Sequence, residues 1–487
     1  MDEGIVIFGA SGGGIKVAQT LKSFDIDFYC FLDNDSKKWE SREENTGKEI
    51  HSPELLKGNR YQIIIASEHQ AEIEKQLKEL GQIDNLILKE DLIIPCVEEM
   101  ERKFQNEFCV KQEASRTRNR RILFDLAEGV QLGGIETWTY MVARELRKLG
   151  AEVEVFAKKT DMQPPKDISL YFTYFGIEYC NFKENVSMLA KEIIKRKPCT
   201  VIVNKHTQIL YAAYIAKKMC KEGEIQVVSV IHNDLITLYR RQKRIDRLTD
   251  AVFCVSRKIQ RRMAEEFGIG LNKMFYKESP VYVHHDAFFV RNYTTEGQKP
   301  LRLGYAARLV KIQKRADLFP ELIEELEKRR VNYYLTIVGD GTYRQHIEEY
   351  IAKNGLEHRV LIKGSIPHED VVDFWREQDI FLSFSDFEGS SISALEAMAQ
   401  GAVPVETDVS GVREFVENGV NGFVTEVGDV ARIAECICWL GRNRNQLRQM
   451  GMQSRKIIIE KCNPENYGKY MLEMCGMENL NSDMDGE

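Results

Sequence analysis

The chain is expected to be an α/β protein made of parallel sheets with helices on both faces. Three observations predict this. Short apolar runs recur from end to end, amphipathic helical patterns fill the gaps, and polar stretches break the series into pieces of domain size. Strand–helix alternation sustained over such a length gives parallel sheets whose crossover helices cover both faces. Sheets of this kind bind ligands at the carboxyl ends of their strands. At roughly 150 residues per domain, the 487 residues correspond to about three domains.

The strands are read in three groups. Ile5–Phe8, Phe28–Leu32 and Gln62–Ala66 come first. Ile122–Phe124, Glu152–Phe156, Val201–Val203, Gln226–Ile231 and Ala251–Val255 follow. Leu301–Tyr305, Tyr334–Val338, Val360–Lys363, Ile380–Ser383 and Val403–Glu406 complete the series. Thr137–Leu149 and Ile392–Gln400 have helical periodicity. Glu101–Arg121 carries seven Lys or Arg against three acids and reads as a helical or flexible linker. The polar stretch Arg291–Pro300 precedes a fresh strand. The domains are therefore 1–95, a basic linker 96–120, 121–298 and 299–462, with an acidic tail at 479–487.

Composition excludes several classes. A net charge of −7 argues against a chain devoted to nucleic acid. No apolar run approaches the roughly 18 residues of a membrane span. Met-Asp-Glu leading straight into a strand is not a signal peptide. The 11 cysteines form no CxxC pair, and Cys30, Cys180, Cys254 and Cys436 sit in apolar segments. They read as buried thiols of a reducing, cytoplasmic compartment. The nine histidines show no HxxxH or HExxH spacing, so no metal site and no bound cofactor is expected.

Four features fit one ligand, a nucleoside diphosphate sugar. Gly133-Gly134 lies between a strand and a helix, where glycine lets the backbone approach a phosphate at a helix N-terminus. A tight turn without a ligand explains that pair equally well. Arg308 and Lys314 follow the Leu301–Tyr305 strand, and two cations there suit a diphosphate, while Lys311 and Arg315 nearby fit a solvated basic loop as well. In Glu388-Gly-Ser-Ser-Ile-Ser-Ala-Leu-Glu396, residues Ser390, Ser391 and Ile392 open a helix whose free amides can hold phosphate. Glu396, alone in an apolar helix, needs a partner, and a ribose diol is one candidate. His232 directly follows the apolar strand Gln226–Ile231, at the ligand-facing end of a sheet, where a purely structural histidine is the other reading.

Together these residues resemble the retaining glycosyltransferases of family 4. The resemblance runs from about Arg121 to Tyr470. It is strongest from Val338-Gly-Asp-Gly341 to Asn421-Gly-Phe-Val424, including Glu388/Glu396, Ala397-Met-Ala-Gln-Gly401 and Gly411-Val-Arg-Glu414. It implies two Rossmann-like domains in GT-B arrangement, with 463–478 as the helix that crosses back onto the first. It also implies that Gly134, Arg308 and Lys314 bind the diphosphate, Glu396 the ribose and Glu388 the sugar hydroxyls. His232 would sit beside the sugar, and Ile366 and Pro367 would meet the base. UDP ranks ahead of GDP as the nucleotide. Glu388-Gly-Ser-Ser391 departs from the usual Glu-Gly-Phe-Gly, Arg413 stands where proline is common, and His284-His285-Asp286 replaces Asn-Gly-Val-Asp. None of these removes a charged group.

The first 95 residues form an additional Rossmann-like α/β domain. Gly9, Ser11, Gly12, Gly13 and Gly14 make a loop between strand and helix, and Asp33 ends the next strand. This fits a mononucleotide-binding half and resembles the nucleotide-sugar-binding N-domain of sugar acyltransferases of the PglD kind. A scaffold without ligand fits it too. A chain starting near Arg118 is expected to fold and transfer sugar without it. Leu235–Arg262 holds nine Lys or Arg against two acids and mixes them with apolar residues. That suits peripheral contact with the inner face of a membrane or with a lipid-diphosphate acceptor, though a solvated helix face is the more economical reading.

The leading reading is a metal-independent enzyme that transfers sugar to a growing surface glycan or lipid-linked acceptor. A non-catalytic nucleotide-sugar-binding sensor or assembly subunit is the alternative, and an NAD-dependent oxidoreductase ranks last.

Overall fold

The structure, a computed structural model, describes residues 4–107, 121–130, 133–205, 208–283, 293 and 299–477. The basic stretch 108–120, the His284-His285-Asp286 triplet and the acidic tail lie outside the described residues.

Strands β1 (Ile5–Phe8), β2 (Cys30–Leu32), β3 (Ile50–His51) and β4 (Gln62–Ile65) form a parallel sheet of order β3-β2-β1-β4. The second sheet comprises β5 (Arg121–Leu126), β6 (Glu152–Lys158), β7 (Phe172–Phe175), β8 (Cys199–Val203), β9 (Ile225–Ile231), β10 (Ala251–Cys254) and β11 (Met274–Tyr276). Its order is β11-β10-β9-β8-β5-β6-β7. The third comprises β12 (Leu301–Ala306), β13 (Tyr333–Val338), β14 (Val360–Gly364), β15 (Ile380–Ser383), β16 (Val403–Thr407) and β17 (Phe423–Thr425), in the order β14-β13-β12-β15-β16-β17. In each sheet the first strand lies inside and the chain winds out on both sides of it, so the order reverses at β1/β4, β5/β8 and β12/β15. These are the switch points at which doubly wound sheets take ligands. Three Rossmann-like sheets are present, as the alternation predicted.

The helices that matter below are α1 (Gly12–Ser23), α2 (Gln70–Glu79), α3 (Lys89–Glu107), α4 (Gly134–Lys148), α5 (Phe182–Ile194), α6 (Gln208–Met219), α7 (Ile236–Ile245), α8 (Ile392–Ala399) and α9 (Pro464–Met474). The chain divides into two compact units. One is Met1–Val130, Glu152–Ser229 and Tyr239–Ala251; the other is Gln131–Ala151, Val230–Leu238 and Val252–Glu487.

In the first unit the structure corrects one expectation and gives partners to another segment. The boundary at 95/96 falls inside α3, which is no linker. Its Ile93, Ile94, Val97 and Phe104 enter the same core as Phe182, Leu189, Ile193 and Tyr211. The apolar face of α3 needs that burial, and it ties the N-terminal sheet to α5 and α6. The other segment is Leu235–Arg262. Arg240 pairs with Glu74 (2.5 Å), Arg244 with Asp91 (2.6 Å), Arg247 with Glu98 (2.7 Å) and Arg241 with Glu90 (3.8 Å). The acids come from α2 and α3, so the basic stripe meets a complementary face of the same chain. Within the second unit Lys258 and Arg262 pair with Asp234, and Arg257 with Glu278. Seven of the nine basic residues of the segment thus have a carboxylate partner within the chain, and Arg244, Arg247 and Arg257 remain largely exposed. Among the described residues no helix is long and apolar enough to cross a membrane.

In the second unit α9 packs on α4. Trp138 Nε1 donates to the Tyr467 hydroxyl (2.8 Å), and a Cβ at Gly468 would stand 2.9 Å from Leu149 Cδ1. This is where the crossover helix was expected. Cys30, Cys254 and Cys436 are buried, but Cys180 is exposed, contrary to expectation.

Candidate active site

The candidate site grows from the switch point of the third sheet. Arg302 on β12 pairs with fully buried Asp379 just ahead of β15 (2.9 Å), locking the two strands side by side. The loop after β12 then carries Arg308 and Lys314, and the loop after β15 carries Glu388. Lys314 is flanked by two non-glycine residues in the left-handed region, Gln313 (φ 75°) and Arg315 (φ 49°). Such backbone costs of order 1–3 kcal/mol per residue and persists only where its surroundings over-determine it. Here Arg315 is held by Asp317 and Asp386 (both 3.1 Å), and the Asp386 amide donates to the Gln313 carbonyl (2.8 Å).

This geometry delivers Lys314 Nζ to Glu388 Oε1 at 2.5 Å. The Ser385 hydroxyl donates to the same oxygen at 2.6 Å. Gln313 bridges the rest: its Nε2 donates to Glu388 Oε2 (3.4 Å), and its Oε1 accepts from Arg308 Nη2 (3.0 Å). Arg308, Lys314 and Glu388 therefore form one network. Behind it, burial and the Glu388 charge push the Tyr305 phenol well up, so it stays neutral.

Helix α8 begins beside this network. Ser391 Oγ caps it by accepting from the Ala394 amide (3.3 Å), whereas Ser390 Oγ is buried and has no hydrogen-bond partner among the described residues. A buried hydroxyl without a partner at a helix N-terminus is suited to an anionic ligand. The N-terminus of α4 comes close, since a Cβ at Gly134 would lie 4.0 Å from Ile392 Cγ1. Helix α4 starts three residues before the predicted Thr137, which makes Gly133 its N-cap and Gly134 its first residue. Gly133 is extended (φ −174°), so what these glycines contribute is room, not an unusual backbone.

His232 belongs to the same unit. Its ring meets the Trp138 ring edge-on at 5.2 Å. The Asp234 amide donates to the Glu388 carbonyl (3.0 Å), and a Cβ at Gly389 would lie only 1.9 Å from the His232 carbonyl oxygen. Gly389 is thus required by close approach of two loops. Glu396 stands half-buried on α8, one turn past Ile392. Ile366, beyond β14, packs against the cluster of Val338, Phe374, Phe381 and Ala394, and Pro367 beside it is exposed.

The N-terminal loop is shaped by its own packing. A Cβ at Gly9 or Gly13 would meet the Ala66 carbonyl (2.9 and 2.7 Å), and one at Gly14 the Gly9 carbonyl (1.8 Å). Gly12 faces open space, and Ser11 is the N-cap residue of α1. Asp33 accepts from the Ala10 and Asp35 amides (both 2.9 Å) and from Lys38 Nζ (3.0 Å). Burial alone would raise its carboxyl, but these donors outweigh burial and hold it below the usual range. Asp33 thus fastens the glycine loop to the end of β2.

Sequence reasoning missed Gln313, Ser385, Gly389 and Glu406. Only Glu406 left a signal, a single acid closing the apolar run Val403-Pro-Val. It is buried, and burial and Glu388 push its carboxyl up to about 8 against the pull of Lys314.

Two doubly wound sheets, with cationic and glycine-led loops at their carboxyl ends, define the GT-B class of glycosyltransferases. The family model described as "Glycosyl transferases group 1" matches residues 288–457, and "Glycosyltransferase Family 4" matches 132–275. The chain belongs to glycosyltransferase family 4. A third model, "C2185-like, N-terminal", matches residues 1–88. The N-acetyl-alpha-D-glucosaminyl L-malate synthase of Bacillus anthracis is 26% identical over 284 residues, 54% of this chain and 71% of that protein. The poly(ribitol-phosphate) alpha-N-acetylglucosaminyltransferase of Staphylococcus aureus is 30% identical over 167 residues, so the chain spans about a third of that relative's length (33%). Among solved structures, Anabaena HepE in complex with UDP and glucose superposes with a TM-score of 0.61 at 18% identity, covering 74% of this chain and all (100%) of that one.

Proposed function

We propose that the protein transfers a sugar, with retention of anomeric configuration, from a nucleoside diphosphate sugar to a glycan or lipid-linked acceptor in surface polysaccharide synthesis. The observation that carries this reading is the Arg308–Gln313–Glu388–Lys314 network beside the α8 N-terminus with its unpartnered Ser390 hydroxyl. In this reading Arg308, Lys314 and the α4 and α8 amides take the charge that develops on the leaving β-phosphate. Glu388 and His232 flank the sugar, Glu396 takes the ribose, and Ile366 and Pro367 the base. UDP ranks first because HepE is described with UDP and the named relatives act as N-acetylglucosaminyl enzymes. Same-face attack lets the departing phosphate accept the acceptor's proton, so no protein base is assigned. A release assay across UDP- and GDP-sugars tests the donor, and NMR of the anomeric proton in the product tests retention. Absence of transfer from any sugar nucleotide would favour the non-catalytic alternative.

Two further results are expected. Because cations and helix amides supply the positive charge, EDTA should leave the transfer rate unchanged; complete loss restored by Mg²⁺ would refute the leaving-group assignment. Gly389→Ala should push the Glu388 loop away from His232. Displacing reacting groups by about 1 Å costs on the order of a hundredfold in rate, so steady-state kinetics should show a fall of that size.

A further inference from the structure

One buried acid near the site has no part in the chemistry above. Glu406 lies at the carboxyl end of β16, in register with Ser383 of β15. Val403 and Val405 turn to the main core of the sheet, so Glu406 belongs to the opposite face, the one that also carries Phe381 and Ser383. Ser383 starts a chain of hydroxyls: its Oγ donates to Ser385 Oγ (3.2 Å), which donates to Glu388 Oε1 (2.6 Å). Thr407, the next residue along β16, donates to the Ser385 carbonyl (2.6 Å) and ties the strand end to that turn. Glu406 is only 2% exposed. Besides burial, Glu388, from the loop after β15, pushes the Glu406 carboxyl up, and Lys314, from the loop after β12, pulls it down.

Two carboxyls thus share the field of one ammonium, and Lys314 is already in contact with Glu388. We propose that Glu406 is a positioning residue of the donor site: carrying a proton, it leaves Lys314 to serve Glu388. Once ionised it would repel Glu388 and draw on Lys314, loosening the network that faces the diphosphate. Burial and the neighbouring carboxylate, which push Glu406 up to about 8, keep the proton on at neutral pH. The donor site would therefore fail on the alkaline side. The inference rests on the donor-site reading above.

The test compares wild type with Glu406→Gln, which is neutral at every pH. For a group titrating at about 8, one pH unit above that value leaves roughly a tenth of the molecules protonated. The ratio of kcat at pH 9 to kcat at pH 7 should therefore be about tenfold larger in Glu406→Gln than in wild type. Superimposable pH profiles would overturn the proposal, as would a Glu406→Gln protein that folds and binds UDP but is inactive at pH 7.

A second readout needs no activity. A carboxyl raised in the folded state binds a proton that the unfolded chain has already released, so stability falls as pH rises from the unfolded value through about 8. The melting temperature of wild type should therefore drop relative to Glu406→Gln between pH 5 and 8. If the variant does not fold, carboxyl-carbon NMR of wild type labelled in glutamate should still show one signal titrating near pH 8, and its absence overturns the proposal. If wild type transfers no sugar at all, the donor-site reading fails, while the melting and NMR results still score Glu406.

Discussion

Lys314→Ala is expected to reduce sugar transfer by at least a hundredfold. Losing one preorganised donor to a developing oxyanion costs on the order of 3 kcal/mol, and each 1.36 kcal/mol is about tenfold in rate. The variant also strands Glu388, whose side chain is only 7% exposed, without its cation. Removing one partner of a buried pair costs about 3–5 kcal/mol of stability, so a lower melting temperature should accompany the loss of rate. The two effects separate in the double variant Lys314→Ala/Glu388→Gln, which should regain stability and stay inactive. Arg308→Ala removes an exposed side chain that hydrogen-bonds to Gln313 and should lose rate without losing stability. Near-wild-type kcat/KM in both single variants would remove these residues from the site.

Starting the chain at Arg118 is expected to yield an insoluble or non-cooperatively melting protein. That truncation removes Phe24, Ile93, Ile94, Val97 and Phe104 from a core that also contains Phe182, Leu189, Ile193 and Tyr211. At about 1.5–3 kcal/mol per buried apolar side chain, five such losses match the roughly 5–15 kcal/mol that stabilises a typical domain. The truncation also leaves Arg240, Arg241, Arg244 and Arg247 without the acids of α2 and α3. A soluble truncated chain with a single cooperative calorimetric transition would contradict this.

The truncation shows where sequence reading stops. The stretch Glu101–Arg121 reads as a linker because charge dominates its composition, while the apolar periodicity lies mostly in the residues that precede it. Ile93, Ile94, Val97 and Phe104 are spaced for one helical face, but nothing in one sequence says what that face meets. The basic stripe of α7 was legible as charge and illegible as partner for the same reason: its acids lie about 150 residues away in the chain.

The strands follow a similar rule. Every buried central strand was visible as an apolar run. The four that were missed, β3, β7, β11 and β17, are all at sheet edges. Edge strands are short and partly solvated, so their composition carries little signal. In the site, Arg308, Lys314 and Glu388 were legible because charge at a strand end is conspicuous. Gln313 and Ser385 were not, since a neutral hydrogen-bonding side chain in a polar loop looks like any other. Gly389 was quoted only as part of a motif, and its necessity comes from a carbonyl in a distant loop.

The left-handed backbone on both sides of Lys314 bears on how this enzyme would respond to selection. Gln313 and Arg315 hold conformations that glycine or asparagine would hold more cheaply. A search for heat resistance alone would be drawn to those two positions, where relief of strain comes at once. Glycine at 313 would remove the side chain that joins Arg308 to Glu388, and glycine at 315 would cut the loop's tether to Asp317 and Asp386. Both routes to a sturdier protein run through its least replaceable loop. The tolerance of this scaffold to heat and its speed as a catalyst are therefore set against each other at two adjacent turns of the chain.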